Sequence, residues 1–355
     1  MTRILFRFVI AAAALVAAAI GLEAVLRVAR PAVAYQYAPQ LMTVTHFAAS
    51  DYLPFELKRN FHGPFRMLEF DSTVSTNGMG LRDREIDFSK PRILCLGDSF
   101  TFGFGVQNDE TFCARLEREF GGKYDVVNAG FAGGSSPDAY ALWLTTHYDT
   151  LQPRLIVCSV FQNDFTDVQS HRWEPDDGTM PRRITTPGII VTSDGALLRD
   201  NRVARLPPRL RSLIKASYIV AMVRDRLLKD ADEPTSRDAQ PAPATAPAEA
   251  PAAPAVAATV ISESDRRFTR SLALLQEAAR STPVAVHLIP AKAQRTDSHM
   301  DGLVKQFAGT AGWPVVQDYG AFGPHDYFAQ DGHWLPSGHL TAAKYLHAAL
   351  VRLGL

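Results

Sequence analysis

The chain has 355 residues, of which 46% are hydrophobic and 21% are charged, so it can bury a substantial core. One folded domain with an anchor and an insertion accounts for this length without a second full domain. Its 37 Lys and Arg residues balance its 37 Asp and Glu residues, which excludes a net field that would recruit nucleic acid or an acidic surface.

Residues 1–30 form a segment that we expect to enter a membrane. Arg3 and Arg7 precede an uncharged stretch, 8–22, that is rich in Ala, Val and Leu. This stretch has about 15 residues, so a span of the usual ~20 residues needs apolar residues from both flanks. A cleaved secretory signal is the alternative, but the apolar pattern continues past Glu23 without a small-x-small cleavage site. We therefore expect a single-pass signal anchor in the inner membrane and a periplasmic body.

The remainder of the chain is predicted to hold one α/β domain, residues 91–355, preceded by a linker and an N-terminal flap in residues 31–90. The predicted strands of the domain are 92–96, 125–128, 155–160, 284–289 and 314–317. The predicted helices are 110–120, 137–150, 262–280, 298–308 and 337–353. Apolar strands that alternate with helices of this length indicate a five-stranded parallel sheet covered on both faces.

A long insertion, residues 165–262, separates the third and fourth predicted strands. It is polar and contains proline at first, and a helix is predicted from about 210 to 228. Between residues 239 and 258, 16 of 20 residues are Ala or Pro, so we predict a disordered linker over 234–259. We interpret the insertion as a lid over the strand ends, and a dispensable surface decoration is the alternative.

Three polar or flexible residues follow the ends of the first three predicted strands. Ser99 ends a Gly-Asp-Ser turn directly after the apolar run 93–96, and Gly130 and Asn163 follow the next two strands. In open α/β sheets, ligands bind beyond the carboxyl ends of the strands, and a flavodoxin-like strand order makes these three strands neighbours. The sequence therefore predicts a site at this edge, with Ser99 as its nucleophile.

A serine hydroxyl is negligibly ionised at neutral pH, so Ser99 needs a base within hydrogen-bond reach. Of the ten histidines, His333 is the best placed, because Asp331 lies beside it in a glycine-containing loop before the last helix. Asp331 would hold the imidazole in the tautomer whose Nε2 can accept the serine proton. The alternative bases are His339 and the pair His325-Asp326.

The sequence predicts neither a cofactor nor a metal. The glycines within 102–105 are not followed by a Lys-Ser/Thr pair, which argues against a phosphate-binding loop. The histidines and aspartates of 325–339 have ligand chemistry, but a hydrolytic metal there would leave the serine and the asparagine without a role. The three cysteines form no CxxC motif, and Cys95 and Cys158 fall in predicted strands as core residues.

The order Ser99, Gly130, Asn163, Asp331 and His333 resembles the four blocks of the SGNH hydrolases, the GDSL-type esterase family. The resemblance covers residues 77–164 and about 284 to the carboxyl terminus, and it favours the bacterial, membrane-anchored branch. It implies a three-layer α/β/α flavodoxin-like fold with a Ser-His-Asp triad. It also implies an oxyanion hole made of the Ser99 N–H, the Gly130 N–H and the Asn163 side chain.

The function implied by this resemblance is hydrolysis of O-acyl esters of carbohydrates or small alcohols, without a cofactor. The segments 289–292 and 331–339 are similar to polysaccharide acetylation proteins, so an O-acyltransferase acting on an exported polysaccharide is one alternative. A non-catalytic carbohydrate-binding scaffold is the other. The expected partners are an acyl ester, with a saccharide as its candidate alcohol, and the inner membrane, whereas nucleic acid is not expected.

Overall fold

The structure is a computed structural model that describes residues 2–29, 44–67, 69–202, 204–215, 217–220, 222–223, 262–317 and 319–354. The predicted Ala/Pro-rich linker, 234–259, lies outside the described residues. The end of the helix predicted over 210–228 also lies outside them.

The described elements are numbered here in chain order. The strands are β1 (Phe47–Ala48), β2 (Glu56–Leu57), β3 (His62–Arg66), β4 (Asp71–Ser75), β5 (Arg92–Gly97), β6 (Asp125–Gly130), β7 (Leu155–Val160), β8 (Arg172–Glu174), β9 (Arg183–Thr185), β10 (Ile189–Val191), β11 (Leu197–Arg199), β12 (Val284–Leu288) and β13 (Val315–Val316). The helices are α1 (Thr2–Ala29), α2 (Ser99–Phe102), α3 (Phe112–Glu119), α4 (Pro137–Leu151), α5 (Gln162–Ser170), α6 (Pro208–Lys215), α7 (Glu263–Ala279), α8 (His299–Ala311) and α9 (Pro336–Arg352).

The central sheet has five parallel strands in the order β6-β5-β7-β12-β13. Of the strands in this sheet, β5 comes first in the sequence and lies between β6, the second, and β7, the third, which is the flavodoxin-like order. Every residue of β7 is buried, as expected for a strand covered on both faces. The prediction of a five-stranded parallel sheet, interrupted between its third and fourth strands, is confirmed.

Two apolar layers cover this sheet, because its side chains alternate between the faces. Leu94 and Leu96 pack with α4, α7 and α8 on one face, whereas Ile93 and Cys95 pack with α3 and α9 on the other. The fold is therefore the predicted three-layer α/β/α sandwich. All three cysteines are buried and free, and none forms a disulfide.

Helix α3 begins two residues later than predicted, at Phe112. The side chain of Thr111 accepts a hydrogen bond from the Ala114 N–H at 3.3 Å, so it caps this helix. The preceding residues Asn108–Glu110 form a separate 3₁₀ turn. The predicted start at residue 110 joined these two elements.

The N-terminal flap contains two small antiparallel hairpins, β1–β2 and β3–β4, in a region where the sequence predicted no strands. Strand β3 alternates exposed and buried residues, but it includes Gly63 and Pro64, which are unfavourable in strands and concealed the pattern. The flap packs its aromatic residues against Phe102, which follows the predicted nucleophile.

The insertion also contains two hairpins, β8–β9 and β10–β11, followed by α6. It contacts the flap directly: the Phe47 N–H donates to Gly195 O at 3.1 Å, and the Ile184 N–H donates to Tyr52 O at 2.7 Å. The flap and the insertion therefore form one shell beside the sheet.

Helix α1 is long and apolar enough to cross a membrane, and its apolar window is exposed along its whole length. Its 28 residues correspond to about 42 Å, compared with about 30 Å for the hydrocarbon core of a bilayer. An uncleaved anchor and a secretory signal share these properties.

Candidate active site

The Gly-Asp-Ser turn joins β5 to α2 and places Ser99 at the first position of the helix. Asp98 is the N-cap, and its side chain accepts a hydrogen bond from the Phe100 N–H at 3.0 Å. A Cβ at Gly97 would lie 2.2 Å from Thr101 Oγ1 and 3.0 Å from Ser159 O, so only glycine fits this turn. The local sequence therefore fixes the position of the Ser99 hydroxyl at the carboxyl edge of the sheet.

The structure brings Ser99, His333 and Asp331 together. Ser99 Oγ lies 2.7 Å from His333 Nε2, although the two residues are 234 positions apart in the sequence. His333 Nδ1 forms a short hydrogen bond with Asp331 Oδ1. Because an ionised carboxylate only accepts hydrogen bonds, this contact places the proton on Nδ1 and leaves Nε2 as the acceptor for the serine hydroxyl.

Two aromatic rings hold the His333 imidazole in this orientation. The ring of Phe104 stacks on it with centroids 4.4 Å apart and planes inclined by 24°, and the ring of Phe100 lies 4.8 Å away. Both residues belong to the segment that follows Ser99. The turn that carries Ser99 is therefore followed by the two rings that orient the imidazole bonded to Ser99.

The alternative histidines have other roles in the structure. His339 is buried, accepts a hydrogen bond from the Phe112 N–H at 3.2 Å, and has a pKa that burial lowers well below its usual range. The His325 side chain is 80% exposed and lies 3.6 Å from the Asp326 carboxylate. The imidazole that reaches Ser99 belongs to His333.

Asn163 lies in the first turn of α5, and its Nδ2 donates to Asp167 Oδ2 at 3.2 Å. One Nδ2 hydrogen remains for another acceptor.

Asp164, the next residue, accepts hydrogen bonds from the Tyr140 hydroxyl at 2.8 Å and from the Phe161 N–H at 2.7 Å. These bonds fix the start of α5, which presents Asn163. Burial and the neighbouring Asp98 carboxylate raise the pKa of Asp164 well above its usual range.

Gly130 has a different role from the one predicted. Its N–H donates to Asn128 Oδ1 at 3.0 Å, so this donor is occupied and is not free for an oxyanion. A Cβ at this position would lie 2.1 Å from Phe102 N, so the glycine lets β6 approach the backbone of α2. The loop after β6 carries further N–H groups at this edge, including that of Gly133, which has φ of +100° and no acceptor among the described residues.

Replacing Gly130 by alanine should destabilise the protein by about 1–3 kcal/mol, because the new Cβ would overlap backbone atoms that cannot move aside. Activity should fall as well, since the displaced backbone carries Ser99. Urea unfolding and ester turnover would measure the two effects. Gly302→Ala is the control: its Cβ would meet no atom within 4 Å, so stability should stay equal or rise. Equal stability of the two variants would contradict this packing role.

No family model matches the chain. No curated protein sequence matches it significantly either. Solved structures similar to it include a GDSL-like lipase from Bacteroides thetaiotaomicron, which is 11% identical over 75% of this chain and 90% of that chain, with a TM-score of 0.35. An acetyl xylan esterase from Butyrivibrio proteoclasticus is 13% identical over 77% of this chain and 66% of that chain, with a TM-score of 0.33. An α/β hydrolase from a Lake Arreo metagenome is 14% identical over 75% of this chain and 97% of that chain, with a TM-score of 0.38.

Two charged residues that the sequence analysis did not select hold the loop before His333. Glu69, in the flap, accepts hydrogen bonds from the backbone N–H of Gln330 at 3.0 Å and of Asp331 at 2.9 Å. Lys292 Nζ donates to two carbonyl oxygens of the same loop, Phe328 O at 3.2 Å and Ala329 O at 2.7 Å. A carboxylate and an ammonium group thus bind consecutive backbone groups of this loop. No pattern around Glu69 in the sequence indicates such a contact.

Arg82 is the third residue that sequence reasoning missed. Its guanidinium is buried and donates to backbone carbonyls of Thr73, Phe102, Gly103 and Val106. Burial lowers its pKa to about 9. Arg82 therefore fixes the loop that carries the ring stacked on His333.

Replacing Glu69 by alanine should lower kcat about tenfold, because two backbone N–H groups lose their acceptor and the carboxylate of Asp331 is less well placed. Glu69→Gln keeps one acceptor oxygen, so it should recover part of this loss. Steady-state kinetics would show a fall in kcat with little change in KM. Equal kcat in all three proteins would contradict the positioning role.

Proposed function

We propose that the protein is a serine esterase of the SGNH type that cleaves O-acyl esters. The observation that carries this proposal is the Ser99 Oγ to His333 Nε2 distance of 2.7 Å, with Asp331 bonded to the other ring nitrogen. This is the arrangement in which an imidazole activates a hydroxyl and a carboxylate orients the imidazole. Its place at the carboxyl edge of a parallel sheet is where such folds bind ligands.

The proposed reaction proceeds through a covalent acyl-serine. His333 Nε2 takes the hydroxyl proton as Ser99 Oγ attacks the ester carbonyl, and Asp331 stabilises the resulting imidazolium. The proton then passes to the leaving alcohol as the tetrahedral intermediate collapses. Water, activated by the same imidazole, releases the acid and restores the serine. The Ser99 N–H and the free Asn163 Nδ2 hydrogen are the proposed donors to the oxyanion.

Asn163→Ala should lower kcat about 10²- to 10³-fold, the usual cost of removing one oxyanion donor. The loss should fall on kcat rather than KM, because the donor acts on charge that develops in the transition state. Kinetics with a chromogenic acetyl ester would measure it. Unchanged kcat would remove Asn163 from the oxyanion hole while leaving the role of Ser99 intact.

An activity-based fluorophosphonate probe tests the proposal against a non-catalytic, carbohydrate-binding scaffold. An activated serine should be phosphonylated, and peptide mapping should place the label on Ser99. Prior incubation with a chromogenic ester substrate should slow the labelling. A protein that stays unlabelled at Ser99, with no ester turnover, would overturn the esterase proposal and favour the scaffold.

An O-acyltransferase on an exported polysaccharide would use the same constellation, with a sugar hydroxyl in place of water. The resemblance of segments 289–292 and 331–339 to polysaccharide acetylation proteins keeps this function as the second candidate. Incubation of an acyl donor with and without an oligosaccharide acceptor distinguishes the two. Free acid in both reactions supports hydrolysis, whereas acylated sugar supports transfer.

We also propose that α1 is an uncleaved single-pass anchor in the inner membrane and that the domain is periplasmic. The length and exposed apolar surface of α1 support its insertion in a membrane. The apolar pattern that continues past Glu23 without a small-x-small cleavage site supports its retention. Arg3 and Arg7 at its start favour a cytoplasmic amino terminus. Resistance of the full-length protein to alkaline extraction, with α1 detected by mass spectrometry, would test it.

A further inference from the structure

Glu23, an acidic residue within the apolar helix α1, is bonded to the insertion. Its carboxylate accepts hydrogen bonds from Ser217 Oγ at 3.0 Å and from the backbone N–H groups of Tyr218 at 3.0 Å and Ile219 at 3.1 Å. Arg27, one turn later, forms an ion pair with Glu23 at 3.0 Å and lies over the Tyr218 ring. The polar groups of α1 are therefore matched to one short segment of the insertion.

This contact lies where α1 would leave the bilayer. A span of the hydrocarbon core takes about 20 residues, and that number counted from Ile4 reaches Glu23. Charged groups at this depth are stabilised when they pair with each other and reach the interface. With α1 spanning the bilayer, the segment that binds Glu23 would therefore lie at the level of the lipid headgroups.

The same segment exposes apolar side chains. We name residues 217–220 and 222–223 the docking segment. Val220 is 41% exposed, Met222 is 37% exposed and Val223 is 52% exposed, and Leu210 in the preceding α6 is 46% exposed. Apolar side chains beside the end of a membrane span can enter the interface between headgroups and acyl chains.

The docking segment is also connected to the body of the protein through the insertion. Arg211 in α6 forms an ion pair with Asp194, which lies in the turn of the β10–β11 hairpin. Lys58 of the flap donates to Asp194 O at 2.8 Å. A bilayer that binds the docking segment would therefore fix the orientation of the whole shell of flap and insertion.

We propose that the docking segment lies on the surface of the bilayer that holds α1, with Glu23 binding it to the anchor. This inference rests on the proposed anchoring of α1. The occupant of the exposed apolar side chains is the phospholipid interface, because they directly follow, in the sequence, the residues that bind Glu23 of the apolar helix α1.

Environment-sensitive labels on the full-length protein test this proposal. The three native cysteines are buried, so a cysteine at Val223 can be labelled selectively with a nitrobenzoxadiazole dye. Val351 in α9 is the matched control, since it is 48% exposed. The protein is reconstituted into vesicles of phosphatidylethanolamine and phosphatidylglycerol that contain a brominated phosphatidylcholine. The label of Val223→Cys should shift to the blue and be quenched, whereas that of Val351→Cys should do neither.

The Glu23→Leu variant of the labelled protein tests the contact between Glu23 and the docking segment, because it keeps an apolar anchor but removes the carboxylate. Quenching at position 223 should fall towards the level of position 351 while the protein stays in the vesicles. Equal quenching at 223 and 351 in the unaltered protein, or undiminished quenching in Glu23→Leu, would overturn the inference. Loss of α1 or release by alkaline extraction would instead overturn the anchoring.

Discussion

Replacing Ser99 by alanine should lower kcat/KM for a chromogenic acyl ester about 10⁴- to 10⁶-fold and leave the fold intact. Ser99 Oγ is the atom that would form the acyl bond, and it lies 2.7 Å from His333 Nε2. The loss corresponds to about 5–8 kcal/mol of transition-state stabilisation. Stability should change little, because the substitution removes one hydroxyl and keeps the helix start. Ester kinetics and thermal unfolding would measure both effects.

The chain contains a matched control for this substitution. Ser159 Oγ lies 3.2 Å from His287 Nδ1, so it is a second buried serine bonded to an imidazole. Burial lowers the pKa of His287 to about 3, so this imidazole is a poor base. Ser159→Ala should leave kcat/KM within a few fold of the unaltered protein. Retained activity in Ser99→Ala would remove the mechanism, and equal losses in both variants would indicate a structural effect.

The strands of the central sheet could be predicted wherever burial on both faces produced a continuous apolar run. The prediction for residues 155–160 matched β7 at both ends. The edge strand β13 is only two residues long, although four were predicted, because it pairs with β12 only at Val315 and Val316. The flap hairpins were missed, since β1 and β2 have only two residues each and β3 includes Gly63 and Pro64.

The meeting of Ser99 with His333 could be predicted because two general rules act together. The carboxyl ends of neighbouring parallel strands converge, and a hydroxyl nucleophile needs a base that is itself oriented. The N–H of Gly130 was assigned to the oxyanion because sequence does not show that the Asn128 side chain folds back to accept it. That outcome depends on a side-chain rotamer, which periodicity does not encode.

The supporting residues could not be predicted for a related reason. Glu69 and Arg82 bind backbone groups of distant loops, and backbone groups carry no residue-type signal in the sequence. Glu69 acts on Asp331, 262 positions away. Such contacts follow from the packing of the flap against the domain, so they became visible only in the folded chain.

Replacing Asp331 by asparagine should lower kcat about 10⁴-fold while KM changes little. The asparagine amide can donate to His333 Nδ1, which would favour the tautomer that carries its proton on Nε2 and cannot accept the Ser99 proton. The amide also removes the negative charge that stabilises the imidazolium. Fluorophosphonate labelling of Ser99 should slow in parallel with ester turnover, and unfolding should occur at a similar temperature.

Asp326→Asn is the matched control for this prediction. Asp326 is a carboxylate near a histidine in the same region of the chain, and its Oδ2 accepts a hydrogen bond from the Gly323 N–H at 2.9 Å, a contact that asparagine can keep. Turnover in Asp326→Asn should stay within a few fold of the unaltered protein. A loss smaller than about tenfold in Asp331→Asn would show that another group orients the imidazole, because a triad carboxylate contributes far more.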